Sequence, residues 1–432
     1  MRLSAALAAA ALLLAQTAAA WAAESFTFDV SEFEKKPFEL GGYVELRQER
    51  SQLNQDGAIY RLNFYSNPHS HLDETIVNLK PSGKLRHGDA SLNFRANLEG
   101  NWGTLGSESH FRWDEFYGSY KPDPGLTVDA GKIALKWGKG YAWSPIAFVE
   151  RVKDPNDPEL AREGFTMLTG DVIRNFEGPL RTVAFTPAVV PASDNINSDF
   201  GSGSHTNVAA KLYLLYYDTD IDLAFLSNGS RSGRYGFDFS RNLATNLEIH
   251  GEWAHISDTQ RSVTNASGGT TVVQGDAERY VLGLRHLSTR DTTTIFEYYR
   301  TGPGLTESEM DDFVRFVDNA YAQYLATWNA TQLNQAASVV RSGYGQPNPG
   351  RNYLYLRVAQ KEPFDILYFT PALTVIANAD DRSMSITPEL LYTGFKDIEL
   401  RFRAVVLTGG AGTEYGERLN SSLIEFRARL YF

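Results

Sequence analysis

The strongest constraint on the fold is a two-residue rhythm that recurs along the chain. Segments of about ten residues alternate apolar and polar side chains and are separated by turn residues. In residues 91–100, for example, Leu92, Phe94 and Leu98 alternate with polar residues, and residues 423–432 repeat the pattern. Because successive side chains of a strand point to opposite faces, each segment has one apolar wall and one polar wall. The chain is therefore predicted to be all-β.

The number and spacing of these segments favour a closed barrel. We count about 18 strands, with 16 as the alternative, and an even number is typical of bacterial outer-membrane barrels. The predicted strands are residues 42–51, 73–84, 90–101, 108–120, 125–137, 165–175, 180–190, 206–217, 220–228, 232–241, 245–256, 278–287, 291–301, 351–361, 366–378, 383–394, 397–408 and 421–432. Short turns follow the even-numbered strands, and the long connections after odd-numbered strands include 52–72, 138–164, 257–277 and 302–350. This asymmetry predicts a transmembrane antiparallel β-barrel, with a soluble all-β protein as the alternative.

Composition excludes several other classes. Beyond residue 23 no stretch of about 18 residues is free of charge, which excludes a bundle of membrane helices. The chain has 52 acidic and 41 basic residues, a net charge of -11, so we expect no nucleic-acid partner. It has no Cys, so its stability must come from burial and hydrogen bonds without disulfides.

The N-terminus is typical of an exported bacterial protein. Arg2 precedes an apolar run, and Ala20-Trp21-Ala22 fits a small-x-small cleavage site. We therefore interpret residues 1–22 as a signal peptide, 23–41 as a periplasmic segment and 42–432 as the barrel. The alternative, a membrane anchor, would need a longer apolar run.

Local departures from the rhythm give further expectations. The alternation slips at Asp114-Glu115 and at Gly131-Lys132, and each slip predicts a β-bulge. Pro187, Pro371 and Pro388 lie inside predicted strands and could also mark bulges. In the longest loop, residues 307–328 have apolar positions at helical spacing, which predicts a helix on or over the extracellular mouth of the barrel.

Three short stretches carry a resemblance to known proteins. The C-terminal Phe432, with apolar residues at every second position before it, resembles the insertion signal of outer-membrane barrels. Residues 40–47 (LGGYVELR) and 131–140 (GKIALKWGKG) resemble the alginate-export type of porin and its uncharacterised relatives. That resemblance implies an 18-stranded barrel with a basic lumen and an inward-folded loop.

The polar faces of the strands are rich in cations, and these are the candidate pore-lining residues. They are Arg47, Arg95, Arg112, Lys211, Arg285, Arg357, Arg401, Arg403, Arg427 and Arg429. A basic stripe in a confined channel concentrates anions. Glu45, Glu49, Glu399 and Glu425 have the same parity on the same strands, so ion pairs that brace the wall are the alternative interpretation.

The connection after residue 137 is the candidate constriction loop. It combines glycines, which permit close backbone approach, with aromatic and cationic side chains. The candidate residues are Trp137, Lys139, Tyr141, Trp143, Arg151 and Lys153. The alternative is an outer loop with an aromatic residue at the bilayer edge.

The sequence thus predicts a porin of the bacterial outer membrane for passive diffusion of small polar solutes, with a preference for anions. We expect no enzymatic reaction, cofactor or metal. Expected partners are outer-membrane lipid, the barrel-assembly machinery, the solute and a possible periplasmic protein. The alternatives are an export channel for an anionic polysaccharide and a barrel that sheathes or scaffolds a partner protein.

Overall fold

The computed structural model describes residues 36–160 and 162–432, and these form a closed barrel of 18 antiparallel strands. The predicted signal peptide and most of the predicted periplasmic segment lie outside the described residues. The strands are β1 (Phe38–Leu53), β2 (His71–His87), β3 (Ala90–Gly103), β4 (Gly106–Asp123), β5 (Leu126–Ile133), β6 (Phe165–Asn175), β7 (Leu180–Ala192), β8 (His205–Tyr216), β9 (Thr219–Leu226), β10 (Arg234–Ala244), β11 (Leu247–Thr264), β12 (Thr270–Leu287), β13 (Thr292–Thr301), β14 (Asn352–Gln360), β15 (Phe369–Asn378), β16 (Met384–Phe395), β17 (Ile398–Thr408) and β18 (Asn420–Tyr431). Each predicted strand overlaps one of these, so the predicted fold class and count are confirmed.

Closure occurs where the first strand meets the last. β1 pairs with β2 on one side and with β18 on the other, so the sheet has no free edge there. At the seam, Gly42 and Phe432 exchange two backbone hydrogen bonds of 3.1 Å. The side chain of Phe432 is exposed on the same face as Leu430 and Phe426, which is the outer face of the barrel.

The strand registers assign one face of the sheet to the interior. Glu45 on β1 pairs with Asn78 on β2, which in turn pairs with Glu99 on β3, and this polar row continues around the lumen. The alternate positions carry exposed apolar residues such as Leu46 and Phe402. The two-residue rhythm of the sequence therefore corresponds to an apolar outer face and a polar inner face.

The α-helices lie in two of the long connections that follow odd-numbered strands, after β1 and after β13. They are α1 (Ala58–Phe64), α2 (Glu307–Thr327) and α3 (Thr331–Val339), followed by a π-helical turn (Val340–Tyr344); a 3₁₀ turn (Pro363–Asp365) lies between β14 and β15. α2 begins with a capping box in which Thr306 Oγ1 accepts from Glu309 N (3.2 Å) and Glu309 Oε2 accepts from Thr306 N (2.8 Å). The three helices share an apolar core that includes Leu62, Phe313 and Leu333. Among the residues described, no helix has the length and apolar content needed to cross a membrane.

The two bulge predictions had different outcomes. The β3–β4 register shifts at Arg95, which pairs with Glu115 while the next residue pairs with Trp113, so the extra residue is Asp114 and this bulge is confirmed. The prediction of a bulge at Gly131 is wrong, because the registers of β5 with β4 and with β6 both continue through this residue without a shift. Gly131 has a φ of 135°, and a Cβ there would lie 2.4 Å from Phe116 O. The glycine thus permits a close strand approach without an inserted residue.

Two further expectations need correction. The predicted loop 257–277 is largely strand, because β11 continues to Thr264 and β12 starts at Thr270. Its threonines and valines favour a strand, but the few valines do not alternate regularly with polar residues, so the two-residue rhythm is absent. Pro187 and Pro388 mark no bulges, since the registers on both sides of each agree, and Pro371 pairs with Leu390 of β16 in a register without a shift.

Candidate functional site

The connection between β5 and β6, described at residues 134–160 and 162–164, lies inside the barrel, and we call it the lumen loop. Its backbone is bound by a carboxylate of the opposite wall. Glu252 on β11 is buried and accepts hydrogen bonds from Gly140 N (2.6 Å) and Ile146 N (3.1 Å), one on each oxygen. Ser144 Oγ donates to Trp137 O (2.9 Å) and lies 3.1 Å from Glu252 Oε2, which fixes the turn.

A second wall carboxylate binds the adjacent part of the lumen loop. Glu297 on β13 is fully buried and accepts from Ala142 N (2.9 Å) and from Tyr141 N. His250 Nε2 lies 2.9 Å from the Oε1 atom of Glu297. Charge-assisted hydrogen bonds to backbone N–H groups are strong, so Glu252 and Glu297 together tie the loop to the far side of the lumen.

Glycines allow the loop to follow this path. Gly138 has a φ of 93°, and a Cβ on it would lie 1.9 Å from Ser144 Oγ. A Cβ on Gly140 would lie 2.0 Å from Trp143 O. Only glycine fits either position without displacing backbone or the serine that closes the turn.

Aromatic stacking anchors the loop tip. The Trp143 ring stacks on Tyr299 of β13, with 5.0 Å between centroids and 12° between planes. Tyr353 and Tyr355 of β14 pack around the same ring, and all four side chains are buried. Such contacts hold the loop by burial and ring geometry as well as by hydrogen bonds.

The descending part of the loop reaches the wall formed by β17, β18 and β1. Arg427 Nη1 lies 3.1 Å from Asp157 Oδ2, and Arg403 Nη1 donates to Asn156 O (3.2 Å). Burial tends to raise the pKa of Asp157, but Arg427, Arg401 and Arg403 outweigh it and lower the pKa. The lumen loop therefore crosses the interior from β5 to both opposing walls.

The registers place all ten candidate pore-lining cations on the inner face, and nine of them contact carboxylates. Arg401, Arg403, Arg427 and Arg429 form a continuous ladder with Glu45, Glu399 and Glu425. The others pair as Arg47–Glu49 (3.1 Å), Arg95–Glu115 (3.1 Å), Arg112–Asp114 (3.0 Å), Lys211–Asp222 (3.5 Å) and Arg357–Glu389 (2.9 Å). Within the described part of the chain, the side chain of Arg285 has neither a hydrogen bond nor an ion pair. For nine of the ten candidate cations, this geometry fits the alternative interpretation, in which ion pairs brace the barrel wall.

All six candidate constriction residues lie in the lumen loop, where each makes different contacts. Trp137 and Trp143 are buried, and Tyr141 Oη donates to Glu159 (3.0 Å). The cations are held as Lys139–Asp222 (3.2 Å), Arg151–Glu163 (3.4 Å) and Lys153 Nζ donating to Gly140 O. Burial is the main cause of a lowered pKa at Lys153.

The sequence reasoning missed the carboxylates that hold the lumen loop. Glu150 accepts from Trp137 N within the loop, while Glu252 and Glu297 act from the wall. The alternation places Glu252 and Glu297 on the inner face, but their partners lie more than a hundred positions away in the sequence; Gly140 and Glu252, for example, are 112 positions apart. No local pattern connects such residues.

Three cavities surround the lumen loop, and Lys153 lines all of them. The first, of about 590 Å³, has six cationic and four carboxylate side chains in its lining. Among the described lining residues, the second, of about 290 Å³, has three cations and no carboxylate, and the third, of about 670 Å³, has three cations and one carboxylate. Cations therefore outnumber carboxylates in every cavity, although the chain as a whole is acidic. The described residues include no group of three or more His, Asp or Glu side chains arranged to bind a metal.

Comparison with known proteins places the fold. No family model and no curated protein matches the sequence. Among solved structures, Acinetobacter baumannii OccAB3 is similar with a TM-score of 0.50 and 10% identity, over 91% of this chain and 99% of that chain. Pseudomonas aeruginosa OccK5 (OpdH) gives a TM-score of 0.49 and 9% identity over 91% and 97%, and a mutant Rh. blastica porin gives 0.40 and 10% over 91% and 100%. At this low identity the likeness to OccAB3 concerns the fold, a closed antiparallel β-barrel that has 18 strands in this chain.

Proposed function

We propose that this chain is a channel of the bacterial outer membrane through which small polar solutes diffuse passively, with a preference for anions. One observation carries the proposal: a loop tied across the lumen by wall carboxylates leaves cavities in which cations are in excess. The proposal includes export by the signal peptide 1–22 and recognition of Phe432 by the barrel-assembly machinery.

The anion preference follows from where the carboxylates are engaged. Glu252 and Glu297 accept hydrogen bonds from loop backbone, so their charge is balanced by N–H groups. Lys136 lines the first cavity, is exposed and makes no ion pair among the described residues. Unbalanced cations between low-dielectric walls concentrate anions, and the paired arginines of the ladder contribute mainly rigidity.

The alternatives fit the interior less well. A barrel that sheathes a partner protein needs an open lumen, and the lumen loop occupies that space. Export of an anionic polysaccharide would use the same positive cavities, so it differs from the proposal in the solute and in the direction of transport. A periplasmic partner would be required for that alternative.

Ion selectivity in planar bilayers tests the proposal. Purified protein should conduct in a potassium chloride gradient with a reversal potential of the sign expected for chloride preference. Lys136→Glu should move that potential toward zero, because it reverses one unpaired charge at the first cavity. Lys396→Glu is the matched control, since Lys396 is exposed in a short periplasmic turn outside the cavities.

The bilayer measurements distinguish the anion-preferring channel from the sheath and from the polysaccharide export channel. A potential that favours potassium, or an equal shift in both variants, would contradict an anion preference set at the lumen loop. Large, unselective conductance would favour the sheath, and block of the current by an anionic oligosaccharide from the periplasmic side alone would favour export.

A further inference from the structure

The second cavity lies at the extracellular mouth, where the lumen loop meets the long loop after β13. Its volume is about 290 Å³, and its cationic lining residues are Lys153, Arg261 and Arg279. Arg261 is already neutralised, because its guanidinium forms two hydrogen bonds of 2.9 and 2.8 Å with Glu309. Among the described residues, two cations without a carboxylate partner therefore remain, and the lining includes no acidic side chain.

Arg279 is the central residue of this cavity. It lies on the inner face of β12, where it pairs in register with Ala254 and Thr301. Within the described residues its guanidinium has no hydrogen bond or ion pair, and its Nε atom is buried without a partner. Buried polar groups almost always have partners, so an arginine left unsatisfied calls for a ligand or ordered water.

The surroundings of Arg279 increase its need for an anion. Its charge acts on two further arginines of the same wall, Arg231 and Arg234, neither of which has a carboxylate partner among the described residues. Burial, followed by repulsion from Arg151 and Arg279, lowers the pKa of Arg231 to about 10. An anion near Arg279 would relieve this repulsion.

Lys153 supplies the second charge from the other side of the cavity. Its Nζ atom donates to Gly140 O, which leaves two of its three N–H bonds for other acceptors. The stacked Trp143 and Tyr299 form the apolar part of the lining, and Asn348 Oδ1 fixes the indole by accepting from Trp143 Nε1 (3.3 Å). The cavity therefore combines a bidentate donor, a second cation and a rigid aromatic wall.

We propose that this cavity is a binding site for a small organic carboxylate with a flat ring, in which Arg279 and Lys153 hold the carboxylate and Trp143 with Tyr299 contacts the ring. Inorganic phosphate would meet the cations but leave the aromatic wall unused. The proposal adds a defined binding site to the channel function, and it concerns equilibrium binding, which can be measured whether or not the barrel conducts.

Calorimetric titration of the detergent-solubilised protein tests the site. The probes are phenylacetate, its neutral isostere phenylacetamide, and inorganic phosphate. Phenylacetate should bind more tightly than either of the others. Arg279→Gln and Lys153→Gln should each weaken phenylacetate binding by about tenfold or more, because each removes a charge-assisted hydrogen bond. Arg285→Gln is the matched control, since Arg285 lies on the same face of β12 and also has no ion pair among the described residues.

Loss of binding in both cavity variants, with Arg285→Gln unchanged, would support the site. Equal binding of phenylacetamide would overturn the role of the cations, and equal binding of phosphate would overturn that of the aromatic wall. Uniform weakening in all three variants would mean a diffuse field instead of a site, and absence of binding to the wild type would refute it. Conductance of the same preparation reports separately on the channel function, so the two proposals can fail independently.

Discussion

At the scale of single residues, the barrel interior is a network in which most charges are compensated. Arg427 is 2% exposed and lies among Glu45, Glu425 and Asp157. Removing one member of such a cluster leaves the others buried without compensation, which costs more than the intact pairs contribute. The few uncompensated cations, Arg279 above all, are therefore the residues on which ligand chemistry can depend.

Replacement of Arg427 by Met should destabilise the barrel by about 3–5 kcal/mol, because three carboxylates lose their shared cation. Arg50→Met should cost less than about 1 kcal/mol, since the Arg50–Asp73 pair is exposed and its atoms are 3.8 Å apart. Urea unfolding in detergent, followed by the heat-modifiable shift on gels, measures both. Equal midpoints for the two variants would mean that the Arg427 cluster is solvated.

At the scale of elements, the sequence determines strands well and loops poorly. Alternation identified every strand because one face meets apolar surroundings. It failed at residues 257–277, where apolar residues are few and do not alternate, and at residues 134–137, which were assigned to a strand although β5 ends at Ile133. The apparent slip at Gly131 arose from that strand end. Helix α2 was predictable because its buried face repeats at helical spacing.

The start of α2 depends on Glu309, which completes the capping box and pairs with Arg261 of β11. Glu309→Ala should remove both, so amide hydrogen exchange in the first turns of α2 should become faster, as expected for a loss of about 1 kcal/mol. Glu307→Ala is the control, because Glu307 is exposed and its side chain makes no hydrogen bond or ion pair in the described structure. Equal exchange in the two variants would show that packing against α1 and α3 alone holds the helix.

At the scale of the whole molecule, an acidic chain encloses three cavities beside the lumen loop in which cations outnumber carboxylates, while two buried wall carboxylates, Glu252 and Glu297, bind the loop backbone. The inner-face arginines and the loop itself were predictable from parity and from glycine and aromatic content. The hydrogen bonds that tie the lumen loop to the wall were not predictable, since Glu297 and Ala142 meet only after the barrel closes. A sequence pattern of period two defines faces, whereas contacts across the lumen depend on strand order and loop path.

The same architecture predicts an acid-induced opening of the channel. Arg427, Arg401 and Arg403 lower the pKa of Asp157 in the folded protein, against the effect of burial. Its ion pairs therefore stabilise the docked loop fully above the ordinary carboxyl pKa of about 3.9, and this stabilisation is lost as pH falls through the lower folded value.

Single-channel conductance should stay constant from neutral pH to about pH 4 and rise below it. Asp157→Asn should show the larger or noisier conductance already at neutral pH, whereas Asp154→Asn, in the same loop but without an arginine partner among the described residues, should behave as wild type. If Asp157→Asn kept the wild-type conductance at neutral pH, the wall carboxylates alone would hold the loop across the lumen.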